Sequence, residues 1–170
     1  MAHRQESQGL FEAHGANIQY VGIGRKSTER SLNALDPASL NASEAILNLG
    51  TCGSFHYPVG SLVQVDNYID RANSSEALFL PPTIDLSLPR ATCGSGDFIE
   101  QTKSSRWDVM DMEAWTIAQY CLKAQKPLVT VKFVTDNSTG DVFSGWKSQL
   151  PAASKALYEV FLRIEKSREL

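Results

Sequence analysis

Residues 129–140, with the sequence VTVKFVTDNSTG, form an apolar, β-branched run that ends in a polar turn opening with an acid. A run in which both faces are apolar and Val and Thr dominate is typical of a buried strand. Open α/β sheets bind ligands outside the carboxyl ends of their strands, so Asp136 lies where a parallel strand would present a catalytic acid. The simpler interpretation is that Asp136 caps the next turn, as Asp-Asn-Ser sequences commonly do. Taken alone, this stretch favours the cap.

The composition fits one globular domain with a sizeable core, since the chain has 170 residues and a net charge of −3. No run of Lys and Arg indicates a nucleic-acid partner. Cys52, Cys93 and Cys121 are odd in number and lack metal-ligand spacing, which favours a reducing cytoplasm over a disulfide framework or a metal site. No segment is apolar enough to span a membrane, and the polar N-terminus argues against export.

Strand-like and helix-like segments alternate along the chain, which predicts a mostly parallel sheet flanked by helices. Apolar runs predict the strands, and apolar residues at 3.6-residue spacing predict the helices. The predicted helices span residues 5–13, 25–35, 113–124 and 149–166; the predicted strands span 18–22, 45–49, 59–65, 90–94, 108–112 and 127–135; the predicted loops include 70–88 and 136–147.

Four short turns fall at or near the ends of predicted strands, at residues 22–24, 50–53, 95–97 and 136–137. Glycine in such turns lets the backbone approach a ligand closely. Each motif is weak alone, and the Gly-x-Gly of the first lacks the third glycine of a dinucleotide fingerprint. Their shared position at the ends of strands predicts one common pocket.

The sequence DMEAW at residues 111–115 opens a predicted helix. An acid at a helix start is usually a partner of the helix dipole, and that is the simplest role for Glu113. The functional alternative is a carboxylate that accepts hydrogen bonds from two vicinal hydroxyls. Asp111 precedes Glu113 by two residues and is the more natural helix cap.

Together, four segments resemble the successive signatures of the purine nucleoside phosphorylase superfamily: NLGTCG at 48–53, SGDFI at 95–99, DMEAWTIAQYC at 111–121 and VKFVTD at 131–136. They occur in the family's order and cover nearly the whole chain. The pattern is most similar to the 5′-methylthioadenosine/S-adenosylhomocysteine nucleosidases. The resemblance implies a single α/β domain over residues 1–170, a three-layer sandwich around a mixed, partly barrel-like sheet, and cleavage of a purine N-glycosidic bond.

The resemblance also implies a role for individual residues. Asp136 resembles the acid that protonates purine N7, and Glu6 resembles the base that activates water. Glu113 resembles the acceptor of the ribose hydroxyls, with Met112 packed against the sugar. The other implied ligand contacts are Phe98 stacked on the base, Ile99 reading the base edge through its backbone, Thr51 near the nucleophile, and Ile23 and Phe143 on the 5′ side.

The chain departs from the family pattern in three places. The family's first strand would precede Ala2, so either the chain is truncated or the sheet lacks that element. Lys132 stands where the nucleosidases usually carry Arg, and the two side chains are not equivalent donors. The stretch between Asp70 and Arg90 is short, so the base pocket is expected to differ in detail.

Hydrolysis and phosphorolysis break the same bond with different nucleophiles. Phosphate needs cationic or amide donors, and the phosphorylases of similar pattern carry Arg where this chain has Asn48, as the nucleosidases do. Arg25 could hold an anion at a helix start, although a solvated helix residue is its simpler role. With an ionised Glu6 as base and a protonated Asp136 as acid, water is the expected nucleophile; a phosphate-dependent phosphorylase is the alternative.

A third interpretation is a nucleoside-binding relative that kept the fold and lost turnover, because fold does not determine function. The expected ligand is a purine nucleoside, with no cofactor and no metal, and no nucleic acid or membrane as partner. The resemblance implies a homodimer or larger homo-oligomer in the cytoplasm. The 5′ substituent of the nucleoside is not determined by the sequence.

Overall fold

The structure, a computed structural model, describes residues 1–73, 75–139 and 141–168, without the side chain of residue 168; the predicted loops at 70–88 and 136–147 each include one residue outside this set. None of the helices in this described part combines the length and hydropathy that a membrane span needs. The helices are α1 (Arg4–Ser7), α2 (Leu10–Ala13), α3 (Arg25–Asn33), α4 (Pro37–Ala42), α5 (Ala114–Ala124) and α6 (Val142–Arg168); the strands are β1 (Ile46–Ser54), β2 (Leu62–Asp70), β3 (Ala77–Phe79), β4 (Arg90–Ser95), β5 (Val109–Asp111) and β6 (Leu128–Asp136).

Five strands close into a ring, because β6 pairs with β1 on one side and with β2 on the other, in the order β2-β4-β5-β1-β6. The short strand β3 extends β2 outside the ring. The β1–β6, β2–β4 and β4–β5 pairs are parallel, whereas β1–β5 and β2–β6 are antiparallel. The mixed, partly barrel-like sheet implied by the family resemblance is confirmed. Three of the five pairs in the ring are parallel, as alternation predicts, and the two antiparallel pairs were not expected from alternation. Alternation reports the order of elements but does not identify their pairing partners.

Strand β6 is buried at all nine of its residues, as its apolar sequence predicts. Its alternate side chains serve two hydrophobic clusters. Val129, Val131 and Phe133 pack in the cluster beneath α6, and Val134 belongs to the cluster beneath α5. A strand enclosed on both faces holds its last residue, Asp136, at a defined position.

The predicted turn at residues 50–53 is part of a strand, which corrects the sequence analysis. Strand β1 stays paired with β6 through this segment and shifts register between Cys52 and Gly53. A Cβ atom on Gly53 would lie 2.8 Å from Oδ1 of Asp136, so glycine is what allows the two strands to approach here. The glycines therefore serve close packing around Asp136 within the sheet.

Other boundaries also differ from the prediction. Residues 18–22 form no strand; Val21 and Gly22 donate backbone hydrogen bonds to Met1 and Ala2, a ladder too short to define one. The strand predicted at 59–65 begins later and continues to Asp70 as β2.

Two helix predictions change as well. The N-terminal helix is broken into α1 and α2 by positive φ angles at Gln8 (49°) and Gly9 (79°). Helix α6 begins at Val142, earlier than predicted, because the Asp141 carboxylate accepts the backbone N–H of Ser144 at 3.1 Å and caps the first turn. This early start brings Phe143 and Trp146 onto a helix.

Candidate active site

A cleft lies between the carboxyl end of β6, the bulge of β1 and strand β5. Four residues that the sequence nominated line it together: Met112, Phe98, Ile99 and Asp136. The other lining residues are Gly53, Arg71, Glu100, Met110, Asp111, Ser138 and Val142. Of the four turns predicted to share one pocket, those at 50–53 and 136–137 line this cleft, through Gly53 and Asp136, and those at 22–24 and 95–97 do not.

Asp136 has partners that suit both an ionised and a protonated carboxyl group. Its Oδ1 accepts the backbone N–H of Ser138 at 2.9 Å, and its Oδ2 lies 2.9 Å from the hydroxyl of Thr135. That hydroxyl is also 3.2 Å from the carbonyl of Cys52. A hydroxyl has one proton, so Thr135 can donate to Asp136, or donate to Cys52 and accept a proton from Asp136. The turn-capping role and a proton-donating role are compatible in this geometry.

Asp111 is the helix cap that the sequence predicted. Its carboxylate accepts the N–H of Ala114 at 3.0 Å and the hydroxyl of Ser95 at 2.6 Å. It also pairs with the amino group of Lys132 at 2.8 Å. Burial opposes ionisation of Asp111, but the charge of Lys132 and these hydrogen bonds hold its pKa below the usual range.

Lys132 is a buried cation behind the cleft and is 3% exposed. Burial by itself disfavours its charge, but the carboxylates of Asp111, Glu113 and Glu6 outweigh burial and raise the pKa of Lys132. A Cβ atom on Gly50 would lie 3.2 Å from Nζ of Lys132 and 3.3 Å from Oε1 of Glu6. The charge of Lys132 is therefore stabilised by the three carboxylates, and its ion pair is with Asp111.

Glu113 occupies the N-cap position of α5, but its side chain caps no helix amide. Instead, Oε1 accepts the backbone N–H of Gly24 at 2.8 Å. Burial and then the charge of Asp111 raise the pKa of Glu113 to about 7. Glu113 is therefore more than a partner of the helix dipole, because its carboxylate binds the turn at residues 22–24 instead of the helix amides.

Glu6 is held by four donors. Its Oε1 accepts the backbone N–H of Thr51 at 2.8 Å and the Thr51 hydroxyl at 2.7 Å. Its Oε2 accepts the backbone N–H of Ala2 at 2.9 Å and of His3 at 3.2 Å, the latter as part of a capping box. The indole N–H of Trp146 donates in turn to the Thr51 hydroxyl at 3.0 Å. The structure thus places Glu6 in contact with Thr51. The four donors occupy the acceptor positions of the Glu6 carboxylate.

Large apolar side chains near these acids are exposed. Ile23, Phe98, Ile99 and Phe143 are each more than half exposed. Ile23 precedes Gly24, which bonds Glu113, and the Phe143 ring lies 5.6 Å from that of Trp146. Exposed apolar side chains beside a polar cleft are typical of a ligand-binding surface.

Three polar residues that the sequence considered lie outside the lining of the cleft, and one of them, Asn48, has no hydrogen-bond partner for its Nδ2 among the described residues. The Arg25 guanidinium pairs with Asp70, and its backbone N–H donates to Asp97 at 2.7 Å, so Asp97 serves the start of α3. Asn48 is buried and lines a separate groove between residues 16–19 and the first half of β1.

Two residues of the site escaped the sequence analysis. Trp146 carries no sequence signal of its bond to Thr51, because it precedes the helix that the sequence pattern predicts from residue 149. Arg71 lines the cleft, yet it lies in a segment predicted only as loop. The sequence signal that could have indicated Arg71 as a site residue is its position directly after Asp70, the last residue of β2.

The chain has the fold of a class of N-glycosidic hydrolases, the nucleosidases. Helicobacter pylori 5′-methylthioadenosine/S-adenosylhomocysteine nucleosidase, solved in complex with a substituted pyrrolidin-3-ol, aligns with a TM-score of 0.79 at 14% identity over 97% of this chain and 95% of its own. Futalosine hydrolase from the same organism gives the same four values. A Chlamydia trachomatis nucleosidase variant bound to methylthioadenosine aligns with a TM-score of 0.75 at 18% identity over 86% of this chain and 75% of its own.

No protein-family model and no curated protein matched this sequence. At 14–18% identity the structural similarity establishes the fold. It confirms the fold that the four sequence segments implied. The activity of this chain has to be argued from its own residues.

Proposed function

We propose that this protein hydrolyses the N-glycosidic bond of an adenine nucleoside such as methylthioadenosine or adenosylhomocysteine. One observation carries the proposal: Asp136 shares a cleft with Phe98, Ile99 and Met112, the residues expected to contact base and sugar. The structurally similar proteins are nucleosidases and a futalosine hydrolase, which supports the same class of reaction. The proposed catalytic unit is one domain over residues 1–170.

Asp136 is the proposed general acid. As the glycosidic bond breaks, the sugar develops oxocarbenium-like charge and the purine gains electron density at N7. A protonated Asp136 would transfer its proton to N7, with Thr135 directing its own proton to Cys52 before the transfer and to Asp136 afterwards. General acid catalysis of this kind contributes roughly 10²–10⁴-fold.

Glu113 is the proposed acceptor of the ribose hydroxyls, and Met112 packs against the sugar. The N–H of Gly24 fixes one carboxylate oxygen of Glu113 at 2.8 Å and so orients the group. A pKa of about 7 means that Glu113 is an effective charged acceptor only near and above neutral pH. Ile23 and Phe143 complete the proposed 5′ side with exposed apolar surface.

Glu6 and Thr51 are proposed to position the water. Three of the four donors to Glu6 are backbone N–H groups, whereas the fourth is the Thr51 hydroxyl, which also accepts from Trp146. The hydroxyl is the donor that a water molecule can replace with least disturbance, because a side-chain torsion moves more easily than a strand. Water inserted there would contact both Thr51 and the ionised Glu6.

Hydrolysis is favoured over phosphorolysis by the pairing of two cations, Lys132 and Arg25, whereas Arg71 in the cleft wall has two nitrogens without a partner among the described residues and keeps phosphorolysis as the alternative. Lys132 is bound to Asp111 and Arg25 to Asp70, so neither is available to phosphate without breaking an ion pair. The test is a panel of methylthioadenosine, adenosylhomocysteine, adenosine, inosine and deoxyadenosine, each with and without phosphate. Free sugar should form in both buffers; activity that requires phosphate, with a sugar 1-phosphate as product, would contradict the hydrolase assignment.

A nucleoside-binding protein without turnover is the second candidate, and one observation favours it. The four hydrogen bonds to Glu6 leave its carboxylate without an open acceptor position. A chain that shifts its melting temperature with adenine but releases no base from any nucleoside of the panel would be such a protein.

The proposal also includes a cytoplasmic homodimer or larger homo-oligomer. The three cysteines are free and buried, which suits a reducing compartment. Leu10, Val59, Phe79 and Leu122 are large, exposed apolar residues outside the lining of the cleft. Analytical ultracentrifugation checks the assembly: a monomer at micromolar concentration would contradict this part of the proposal.

A further inference from the structure

Arg71 is the cation of the cleft that the proposed reaction does not use. Its side chain is 2% exposed, although it lines the cleft with Phe98, Ile99 and Asp136. One terminal nitrogen, Nη2, points at the carbonyls of Gly96, Phe98 and Asp111 at 2.9, 2.7 and 3.2 Å. The guanidinium carbon lies 4.7 Å from the centre of the Phe98 ring. The side chain is therefore fixed in place from one side.

Two glycines provide the space for this side chain. A Cβ atom on Gly96 would lie 3.2 Å from Nε and 3.3 Å from Cζ of Arg71, and one on Gly94 would lie 3.1 Å from its Cγ. The backbone N–H of Arg71 donates to the carbonyl of Ser95 at 2.9 Å. The guanidinium thus lies against the backbone that follows β4. Side chains larger than glycine at residues 94 and 96 would occupy the space of the Arg71 side chain.

The other two nitrogens of the guanidinium are unsatisfied. Among the described residues, neither Nε nor Nη1 of Arg71 has a hydrogen-bond partner. The closest recorded carboxylate oxygen belongs to Glu100, 4.0 Å from Nη1, which is beyond hydrogen-bonding distance. Buried donors are nearly always satisfied, because an unmade bond costs free energy. Two such donors on one cation in a cleft wall indicate a ligand that brings an acceptor.

The position of Arg71 selects the part of the ligand that meets it. Its neighbours Phe98 and Ile99 are the residues proposed for the base, whereas Glu6, Thr51 and Glu113 serve the sugar and the water. The C6–N7 edge of a purine carries two acceptors, O6 and N7, when the base is a 6-oxopurine, but one acceptor and an amino donor when it is adenine. Arginine is the usual partner of the O6/N7 edge.

We infer that Arg71 is a base-specificity residue that donates to O6 and extends the substrate range from adenine nucleosides to 6-oxopurine nucleosides. The inference rests on the proposed function, since it uses the base position and the role of Asp136 at N7. A 6-amino group would present hydrogens to a buried cation and leave its donors unsatisfied. A 6-oxo group satisfies them and leaves N7 to Asp136.

Binding of free bases tests the inference without requiring turnover. Titration calorimetry on the unmodified protein compares hypoxanthine with purine, which lacks a substituent at C6, and with adenine. A hydrogen bond from a charged donor makes hypoxanthine bind roughly 10–100-fold more tightly than purine. Equal or weaker binding of hypoxanthine would overturn the inference, and this comparison does not depend on whether any variant folds.

Variants then assign the effect to the side chain. Arg71→Met removes the donors and keeps much of the apolar stem, and Arg71→Lys keeps the charge without the planar fork. Both should lower the hypoxanthine-to-purine affinity ratio, with Met bringing it near one. Arg90→Met is the matched control, because Arg90 begins β4, at the opposite end of the strand from the cleft. It removes one positive charge and should leave the ratio unchanged.

Inosine and adenosine turnover separates this inference from the proposed function. Arg71-dependent binding of hypoxanthine with no cleavage of any nucleoside would overturn the hydrolase and support the base-specificity role. Cleavage of adenosine and inosine with a ratio of kcat/KM values that Arg71→Met leaves unchanged would support the hydrolase and overturn the role of Arg71. Failure of every base to bind would overturn the role of Arg71, and the nucleoside panel would still decide the proposed function.

Discussion

Glu6 and Asp136 are both buried carboxylates beside the cleft, but different kinds of donor hold them. Three backbone N–H groups and one hydroxyl surround Glu6. One backbone N–H and two hydroxyls, those of Thr135 and Ser138, contact Asp136. A backbone N–H can only donate, so its partner has to stay an acceptor, whereas a hydroxyl can reverse its role. Every contact of Glu6 therefore uses its carboxylate as an acceptor, whereas Thr135 can either donate to Asp136 or accept from it.

The largest expected effect is that of replacing Asp136, the proposed general acid. In Asp136→Asn, the amide can accept from Ser138 and donate to Thr135, so every contact is retained and the fold is kept. The amide cannot transfer a proton, and turnover should fall by roughly 10²–10⁴-fold with little change in base binding. Steady-state kinetics and a thermal melt measure the two quantities.

A leaving group that needs no protonation provides the control for Asp136→Asn. A nitrophenyl riboside should lose much less rate, provided that it binds. Near-normal turnover of purine nucleosides, or a loss explained by unfolding, would remove Asp136 from the mechanism.

The second-largest expected effect is on stability and tests Glu6. In Glu6→Gln, the new NH₂ group has to face donors, either at Ala2 and His3 or at Thr51. An unmatched buried polar group costs about 1–3 kcal/mol, so the melting temperature should fall by several degrees while that of Asp136→Asn does not. If both variants melt alike, the distinction between the two carboxylates is wrong.

Glu113→Gln is expected to act mainly through the sugar. The neutral amide still accepts a hydrogen bond, but charge-assisted bonds are roughly twice as strong, so kcat/KM for ribosides should fall by about tenfold. The 2′-deoxy substrates lack one partner hydroxyl and should be affected less. Equal losses on adenosine and deoxyadenosine would show that Glu113 supports the turn at Gly24 and not the ribose.

The pH dependence of stability gives a separate test of Glu113. Its pKa is raised from 4.5 to about 7 in the folded protein, so between these values the unfolded chain loses a proton that the folded chain keeps. The folded state is therefore penalised progressively as pH rises through this window. The melting temperature of Glu113→Gln relative to the unmodified protein should rise from pH 5 to pH 7 and stay level above. A constant difference would contradict the raised pKa.

The smallest effect concerns the Thr51 hydroxyl, which donates to Glu6 and accepts from Trp146. Trp146→Phe removes the indole donor to Thr51 but keeps an aromatic ring against Phe143. The loss of one neutral hydrogen bond costs about 0.5–1.5 kcal/mol, so turnover should fall severalfold at most. A loss as large as that of Asp136→Asn would give Trp146 a direct role that this geometry does not provide.

Sequence patterns predicted the central parts of the site better than its surroundings. Four residues named by the family resemblance share one cleft: Asp136, Met112, Phe98 and Ile99. The other five residues that it named do not line this cleft: Glu6, Thr51, Glu113, Ile23 and Phe143. Arg71 was missed because its significance depends on the absence of partners, which no local pattern reports.

The chain by itself determined the elements whose residues carry a local signal. The apolar run of β6 is buried at every position, and the DMEA sequence starts a helix capped by Asp111. These features follow from side-chain volume, hydropathy and capping, which act over a few neighbouring residues. The order of the four family-like segments was enough to predict a mixed, barrel-like sheet.

Only the tertiary structure decided which distant residues share hydrogen bonds. Closure of the ring through the β2–β6 pair, the Glu113 bond to Gly24, the four donors of Glu6 and the open nitrogens of Arg71 all join segments far apart in sequence. The physical reason is that hydrogen bonding and burial depend on distances in space, which the chain acquires only when the sheet closes.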